Sequence, residues 1–197
     1  MITHIEGILT EKTPTYAVID CAGVGYLLNI SLHTFSKLGE TGIKTKLLSH
    51  LAIREDAHTL FGFIDEQERS LYRLLISVSG VGPSTARMIL SSLSPEEIKI
   101  AISTGNVAVI KAVKGIGEKG AQRIIVDLRD KITKDDHMHP TFFVNPNNRI
   151  KEEALSALVM LGFAKNVAEK GLEKVMKQTQ GETLTVEQVI KLTLKNL

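Results

Sequence analysis

The sequence predicts a multidomain α+β protein, in which an N-terminal β-barrel is followed by helical domains. Three observations predict this class. Short runs rich in β-branched and aromatic residues fill residues 1–64. Amphipathic helical stripes around two glycine turns fill residues 65–134. Helical patterns resume over residues 149–197, after a stretch at 135–148 that is rich in Asn and lacks helical periodicity and is expected to be a flexible linker.

Composition narrows the function classes. The 197 residues carry 24 basic and 22 acidic side chains, so the net charge of +2 says little about partners. The single cysteine, Cys21, excludes an internal disulfide and is expected to be a small buried residue. No apolar run approaches the length of a membrane span, and no basic segment followed by an apolar one opens the chain. We therefore expect a cytoplasmic protein that has no membrane partner, no metal and no cofactor.

Five short β runs predict a small barrel over residues 1–64. Turn sequences separate the runs, among them Thr13-Pro14 and the glycine-rich Ala22–Gly25. The runs are Ile2–Leu9, Tyr16–Cys21, Tyr26–Ile30, Lys44–Ile53 and Thr59–Phe63. Five strands in so short a stretch fit a closed barrel of the oligonucleotide-binding type. An open meander packed on the next domain is the alternative.

The fourth and fifth runs are joined by Arg54-Glu55-Asp56-Ala57, here called the acidic turn. It places Glu55 and Asp56 side by side at an expected hairpin tip. A solvated turn is the commonest outcome for such residues. A two-carboxylate metal site would need further acidic or His partners at a suitable spacing, and the sequence offers none. A negative probe that repels or separates nucleic-acid strands is the remaining interpretation.

Two short glycine turns give the strongest pattern in the chain. The first glycine turn is Ser79–Pro83 and the second is Lys114–Glu118. Aligned at an offset of 35 residues, both glycines of each turn, a downstream alanine and an apolar pair coincide. This internal repeat indicates a duplicated unit of helix, tight turn and helix. Glycine lets the backbone approach a ligand closely, and the N-terminus of the following helix attracts anions.

Basic side chains near the turns are expected to complete an anion site. They are Arg87, Lys111, Lys114, Lys119 and Arg123. The sequence has neither the Gly-Lys-Ser/Thr of a nucleotide-binding loop nor dinucleotide-type glycine spacing, which favours a nucleic-acid backbone over a cofactor. A glycine that merely ends a helix would explain one turn, but two matched copies disfavour this alternative. The pattern resembles the helix-hairpin-helix DNA-binding motif in tandem.

Residues 149–197 predict a three-helix, UBA-like domain. Its first apolar stripe stops at Gly162, and the capping box Thr185–Gln188 begins the last helix. A domain this small, without a catalytic constellation, is most economically a docking module. Leu161, Gly162 and Phe163 would present an apolar corner to a partner. The equally open alternative is that Phe163 closes the core of its own domain.

Taken in order, these features resemble the RuvA family of Holliday-junction-binding subunits, over the whole chain. The motifs that carry the resemblance are Gly23–Tyr26, Arg54–Ala57, Leu60–Phe63, Gln67–Arg69, Gly80–Pro83 and Gly115–Gly117. The resemblance implies a homotetramer, with an octamer as the alternative, that holds a four-way junction open for branch migration in recombination and in DNA repair within the SOS response.

The resemblance also assigns roles to residues. The turns would grip the DNA backbone through Gly80, Val81, Gly82, Pro83, Ser84, Gly115, Ile116, Gly117, Lys119 and Arg123. Glu55 and Asp56 fall at the family's acidic pin, which sits at the crossover. The last domain resembles the part that contacts RuvB, a hexameric ATPase. ATP hydrolysis would then belong to the partner, and this chain is not expected to be an enzyme.

The sequence departs from the family pattern at two positions. Ser84 and Glu118 stand where the family often has a basic residue, so grip should depend more on backbone N–H groups and on avidity. The rival function is a structure-specific nuclease or a glycosylase, since both use helix-hairpin-helix modules. Asp127 and Asp130 follow the second turn, but their spacing gives them no catalytic partners. A scaffold without a DNA role is the third possibility, and the duplicated turn disfavours it.

Overall fold

A computed structural model describes residues 1–135, 146–178 and 184–196, and the predicted α+β class is confirmed. The chain divides into two compact units, Met1–Met138 and His139–Leu197. In the described ranges, no helix is both long and apolar enough to cross a bilayer.

The first unit begins with a closed barrel, which confirms the prediction over the open meander. Its strands are β1 (His4–Lys12), β2 (Tyr16–Cys21), β3 (Val24–Asn29), β4 (Lys44–Ile53) and β5 (His58–Phe63). They are ordered β1-β2-β3-β5-β4 around the barrel, and β3 and β5 pair in parallel while the other described pairs are antiparallel. Alternating apolar side chains such as Leu9, Ile19 and Leu47 are fully buried inside.

A short helix, α1 (Leu32–Lys37), follows β3, and the sequence analysis did not predict it. Ser31 caps it, because its Oγ accepts a hydrogen bond from the Thr34 N–H at 3.0 Å. Six residues are too few to show a helical period, which explains why the pattern escaped notice. The helix packs against the helical part of the same unit.

Five helices complete the described part of the first unit. They are α2 (Glu66–Ile76), α3 (Pro83–Ser92), α4 (Pro95–Ser103), α5 (Val107–Lys111) and α6 (Glu118–Asp135). Ser94 forms a capping box with Glu97, and Asn106 caps α5. The predicted apolar stripes are buried in one core, which also takes in Phe61 and Phe63 of β5. The barrel and the helices therefore share packing, and β5 belongs to both.

The described part of the second unit contains three helices, α7 (Pro146–Met160), α8 (Lys165–Gln178) and α9 (Val186–Leu194). Their core is apolar, and the predicted capping box of Thr185 and Gln188 begins α9. The predicted linker, 135–148, lies largely outside the described residues. At its two ends, α6 reaches Asp135 and α7 begins at Pro146, where a proline suits the first turn of a helix.

Candidate nucleic-acid interface

The two glycine turns have the same backbone conformation. Gly80 and Gly115 both have φ of +88°, in the left-handed region that side chains with a Cβ rarely adopt. In both turns the amide that follows this glycine bonds back to the carbonyl three residues earlier, Val81 to Val78 at 3.0 Å and Ile116 to Val113 at 3.1 Å. The sequence repeat is therefore also a structural repeat.

Each turn leads directly into the N-terminus of a helix. Gly82 is the N-cap of α3 and has no side chain to bond the free N–H groups of the first turn, while Gly117 stands at the equivalent position before α6. In the described structure, a Cβ built at either glycine would meet no other atom within 4 Å. The backbone donors and the positive end of each helix dipole thus face an open surface, on which an anion can bind.

The central residue of each turn points inward. Val81 is 8% exposed and Ile116 is 9% exposed, and both belong to the shared core. Both were predicted as DNA-contacting residues, and burial restricts any such contact to their backbone. Their side chains instead anchor the two turns on the core, while the flanking glycines leave the turn backbone at the surface.

Arg123 links the two turns. It lies on α6, which begins at the second turn, yet its Nη1 donates a hydrogen bond to the Ser79 carbonyl of the first turn at 3.1 Å. Lys131, two helical turns further along α6, donates to Ser77 Oγ at 3.3 Å. The predicted phosphate ligand Arg123 therefore also braces the first turn.

The other cations around the second turn differ in their partners. Lys111 forms an ion pair with Glu118 at 2.7 Å, and the hydrogen bond from Lys111 holds the pKa of the Glu118 carboxyl below its usual value. Lys114 and Lys119 are exposed. Glu118, one of the two departures from the family pattern, thus neutralises a neighbouring lysine at the turn itself.

Arg87 was expected among the cations of the turns, but its guanidinium is hydrogen-bonded to the barrel domain. Its Nη1 donates to the Thr15 carbonyl at 3.0 Å and to Asn29 Oδ1 at 2.9 Å, and both acceptors belong to the barrel domain. The reason is the helical period, because Arg87 lies on the side of α3 that faces the barrel. No pattern in the sequence identifies those acceptors, which come from distant parts of the chain.

The acidic turn is the hairpin connection of β4 and β5. The Arg54 N–H bonds to the Ala57 carbonyl at 2.9 Å, and Glu55 and Asp56 are exposed at the tip. A cleft of about 130 Å³ separates this turn from the start of α3, and it is lined by Ala52, Arg54, Asp56, Ala57, Thr59, Phe61, Pro83 and Ser84. The acidic turn and the first glycine turn therefore lie side by side on one surface. Across the described residues, no cluster of three or more His, Cys, Asp or Glu could hold a metal ion.

A buried carboxylate that the sequence analysis did not single out lies between the barrel and the helices. Glu68 of α2 is fully buried and accepts hydrogen bonds from Ser31 Oγ and Thr34 Oγ1 at the start of α1. Burial raises the pKa of the Glu68 carboxyl above its usual value. The polar run Gln67–Arg69 would normally be assigned to a solvated face, so the sequence pattern did not indicate that Glu68 is buried.

In the second unit, the predicted apolar corner is divided between core and surface. Leu161 is 62% exposed, and Gly162 has φ of +99° where α7 ends. Phe163 is partly buried against the core of the three helices. The exposed part of this corner is formed by Leu161 together with Met160, which is 86% exposed.

The fold and the paired turns define a tandem helix-hairpin-helix protein with a barrel before the motif and a small helical unit after it. Comparison with known families agrees with this class. Residues 1–62 match the RuvA N terminal domain, 72–130 match the SAM-like helix-hairpin-helix tandem, and 150–197 match the RuvA C-terminal domain.

Curated relatives match over the full length of both chains. The chain is 52% identical to the Holliday junction branch migration complex subunit RuvA of Christiangramia forsetii, covering 100% of each chain. The proteins of the same name from Flavobacterium psychrophilum and Bacteroides fragilis are each 49% identical, again over 100% of both chains. The chain belongs to the RuvA family.

Proposed function

We propose that this protein binds four-way DNA junctions, independently of sequence, as the DNA-binding subunit of a branch migration complex in recombination and repair. The observation that carries the proposal is the pair of glycine turns, which share one backbone conformation and both open to the surface. The names of the full-length relatives support the same function.

The turns would hold the DNA by its phosphates. Backbone N–H groups at the starts of α3 and α6 donate to phosphate oxygens, and Lys119 and Arg123 add positive charge at the second turn and between the turns. Phosphate contacts position a protein on DNA but carry no base information. Selectivity would therefore come from the shape of the junction, which several subunits read together.

The acidic turn would act at the crossover. Glu55 and Asp56 are exposed beside the cleft that leads to the first glycine turn. Two carboxylates next to a phosphate-binding surface repel a continuous duplex at that point. They would favour an open junction, whose strands separate there.

The second unit would recruit the motor. We assign docking of a RuvB-like hexameric ATPase to the exposed corner around Leu161 and Gly162, where Met160 adds apolar surface. Phe163 supports this corner from the core side. ATP hydrolysis would reside in the partner, so the chain itself is a non-catalytic subunit. A homotetramer would match the four arms of the junction.

A gel-shift titration tests the junction function directly. The protein is titrated against a four-way junction and against linear duplex of the same arm sequence, at two salt concentrations. A strong preference for the junction, retained when the arm sequences are changed, is expected. Equal affinity for both DNAs, or binding to neither, would reject the proposal.

The acidic turn has its own test. The double variant Glu55→Gln/Asp56→Asn should bind linear duplex more tightly, by roughly tenfold at low salt, because two charges that repel phosphate are removed. The ratio of junction to duplex affinity should fall accordingly. Glu40→Gln, which neutralises an exposed carboxylate elsewhere on the barrel domain, is the matched control and should leave this ratio unchanged. If Glu40→Gln changes the ratio of junction to duplex affinity as much as the double variant does, the acidic turn does not act at the crossover.

A further inference from the structure

Arg87 belongs to a hydrogen-bond path that runs from α3 through the barrel to β5. Arg87 Nη1 donates to Asn29 Oδ1 at 2.9 Å, and Asn29 Nδ2 donates to the Leu60 carbonyl at 3.3 Å. The same Nη1 of Arg87 also donates to the Thr15 carbonyl at 3.0 Å. Asn29 therefore joins three elements, since it lies on β3 and contacts both α3 and β5.

The two ends of this path lead to the two features of the proposed DNA surface. Helix α3 begins at the first glycine turn, one helical turn before Arg87. Strand β5 begins directly after the acidic turn, at His58, two residues before Leu60. The path thus connects the element that carries the first glycine turn with the element that carries the acidic turn.

We propose that the Arg87–Asn29 pair is a positioning device, which fixes the acidic turn relative to the first glycine turn and thereby sets the preference for junctions over duplex. This inference rests on the proposed function. Recognition of shape requires that the repelling carboxylates and the phosphate-binding turn keep a constant separation. A guanidinium with two acceptors in the barrel domain provides this, because its planar donors bond in a fixed direction.

The contact between α3 and the barrel domain does not depend on Arg87 alone. The Leu32 N–H donates to Ser91 Oγ at 3.2 Å, one turn further along α3, and the shared apolar core includes β5 and α3. Removing the guanidinium should therefore loosen the relative position of the two turns without unfolding the unit. The two hydrogen bonds of Nη1 direct the Arg87 guanidinium toward the barrel domain.

A double-mutant cycle tests the pair. Arg87→Ala and Asn29→Ala should each lower junction affinity by about tenfold, as expected for the loss of a hydrogen bond to a charged group. Duplex affinity should change by less than about twofold, and the double variant should be no worse than either single variant. Arg87→Lys should not restore the preference, because it keeps the charge but loses the planar guanidinium, whose N–H groups have fixed directions. Met88→Ala, the next residue on α3 and exposed, is the control.

A phosphate-binding role for Arg87 predicts different results. Arg87→Ala would then weaken junction and duplex alike, it would reduce the slope of log affinity against log salt by about 0.9, and Arg87→Lys would restore binding. Asn29→Ala would have no effect. These outcomes would overturn the positioning proposal, as would additive losses in the double variant.

A distance measurement on the protein without DNA tests whether the Arg87–Asn29 pair fixes the position of the acidic turn relative to α3. Spin labels at Ala57→Cys and Met88→Cys, in a Cys21→Ser background diluted with unlabelled protein, report the separation of the acidic turn and α3. The distance distribution should be narrow with Arg87 and Asn29 present, and broader in either Ala variant. An unchanged distribution would overturn the positioning of the turns. If unsubstituted protein shows no junction preference, the proposed function fails, and with it the role of the pair in selectivity, whatever the distances show.

Discussion

The first and second glycine turns share a backbone but differ in charge. Both have a glycine at φ of +88° before a helix start. At the offset of 35 residues, the basic residues around the second turn have uncharged counterparts around the first. The pairs are Lys111 with Ile76, Lys114 with Ser79, Lys119 with Ser84, and Arg123 with Met88. Duplication has thus kept the conformation that presents backbone donors, while the electrostatic part of the surface lies with the second copy.

The first turn is distinguished by what holds it in place. Arg123, which belongs to the second copy, donates a hydrogen bond to the Ser79 carbonyl of the first turn. Pro83 and Ser84, at the end of the first turn, line the same cleft as the acidic turn. A strongly basic first turn would lie beside Asp56 and would offset the charge that the acidic turn presents. If the turns bind DNA as proposed, we expect the first copy to act beside the acidic turn and the second copy to supply most of the electrostatic attraction.

Removing both positive-φ glycines should have the largest effect. In Gly80→Ala/Gly115→Ala, each alanine is forced toward a backbone conformation that costs about 1–3 kcal/mol, so the turns shift. We expect junction affinity in a gel shift to fall by roughly a hundredfold. Of the single variants, Gly115→Ala should lose more, because the second turn combines backbone donors with charge. Equal losses would contradict the assigned difference between the turns.

Gly105→Ala is the matched control for this variant. Gly105 has φ of +72° between α4 and α5, and within the described structure its Cβ would meet nothing within 4 Å. The same kind of strain is therefore introduced in the same unit but away from both turns. Thermal stability should fall, while junction affinity measured below the unfolding transition should stay within about twofold. A loss of binding as large as that of the glycine-turn variants would attribute their effect to general destabilisation.

The local features that were predicted from the sequence agree with the structure. Contacts between segments that are distant in the sequence were not predicted. The two glycine turns, the five β runs and the cap at Thr185 are patterns of residue spacing within short segments, and they were predicted correctly. Arg87 was placed at the turns although it bonds to the barrel domain. Charge near a motif does not reveal which face of the helix carries the side chain.

The burial of polar residues is a second feature that could not be predicted from the sequence. Glu68 is fully buried because Ser31 and Thr34, more than 30 residues earlier, supply its hydrogen bonds. The helix α1 that brings those hydroxyls into place is itself too short to be visible in the pattern. The DNA-contacting residues stay predictions, which the variants proposed here test, and the docking corner around Leu161 also stays a prediction.

Arg123→Ala should have the next largest effect, and it tests whether the second copy braces the first. The variant loses the hydrogen bond to the Ser79 carbonyl and one positive charge. We expect junction affinity to fall by about tenfold, since a charge-assisted hydrogen bond contributes roughly 1.5–3 kcal/mol. Hydrogen exchange of the Val81 amide, which closes the first turn, should become faster. Faster exchange confined to Ile116 of the second turn would show that the brace does not act on the first.

Exchanging charge between equivalent positions should have a smaller effect. Lys119→Gln removes an exposed cation after the second turn, and Ser84→Lys adds one at the matching position of the first. The slope of log affinity against log salt should become shallower by about 0.9 in Lys119→Gln if that lysine meets a phosphate. In Ser84→Lys the slope should become steeper by less, because Asp56 lies across the same cleft and attracts the new ammonium. Equal and opposite changes would show that the two turns are electrostatically equivalent.

Glu118→Gln should produce the smallest change, and it is a gain. Glu118 pairs with Lys111 at 2.7 Å, and both side chains are about half exposed, so the pair is screened and adds little to stability. Without the carboxylate, Lys111 can turn to phosphate and one repulsive charge disappears. Junction affinity should rise by about two- to threefold at low salt, and the gain should vanish at high salt.

Because Lys111 lowers the pKa of Glu118, the carboxylate stays ionised well below neutral pH, so the gain should be the same at pH 7.5 and pH 5.5. In a Lys111→Gln background Glu118→Gln should bring a smaller gain, since it then removes only the repulsion; a full gain there would exclude a role for the ion pair at the second turn.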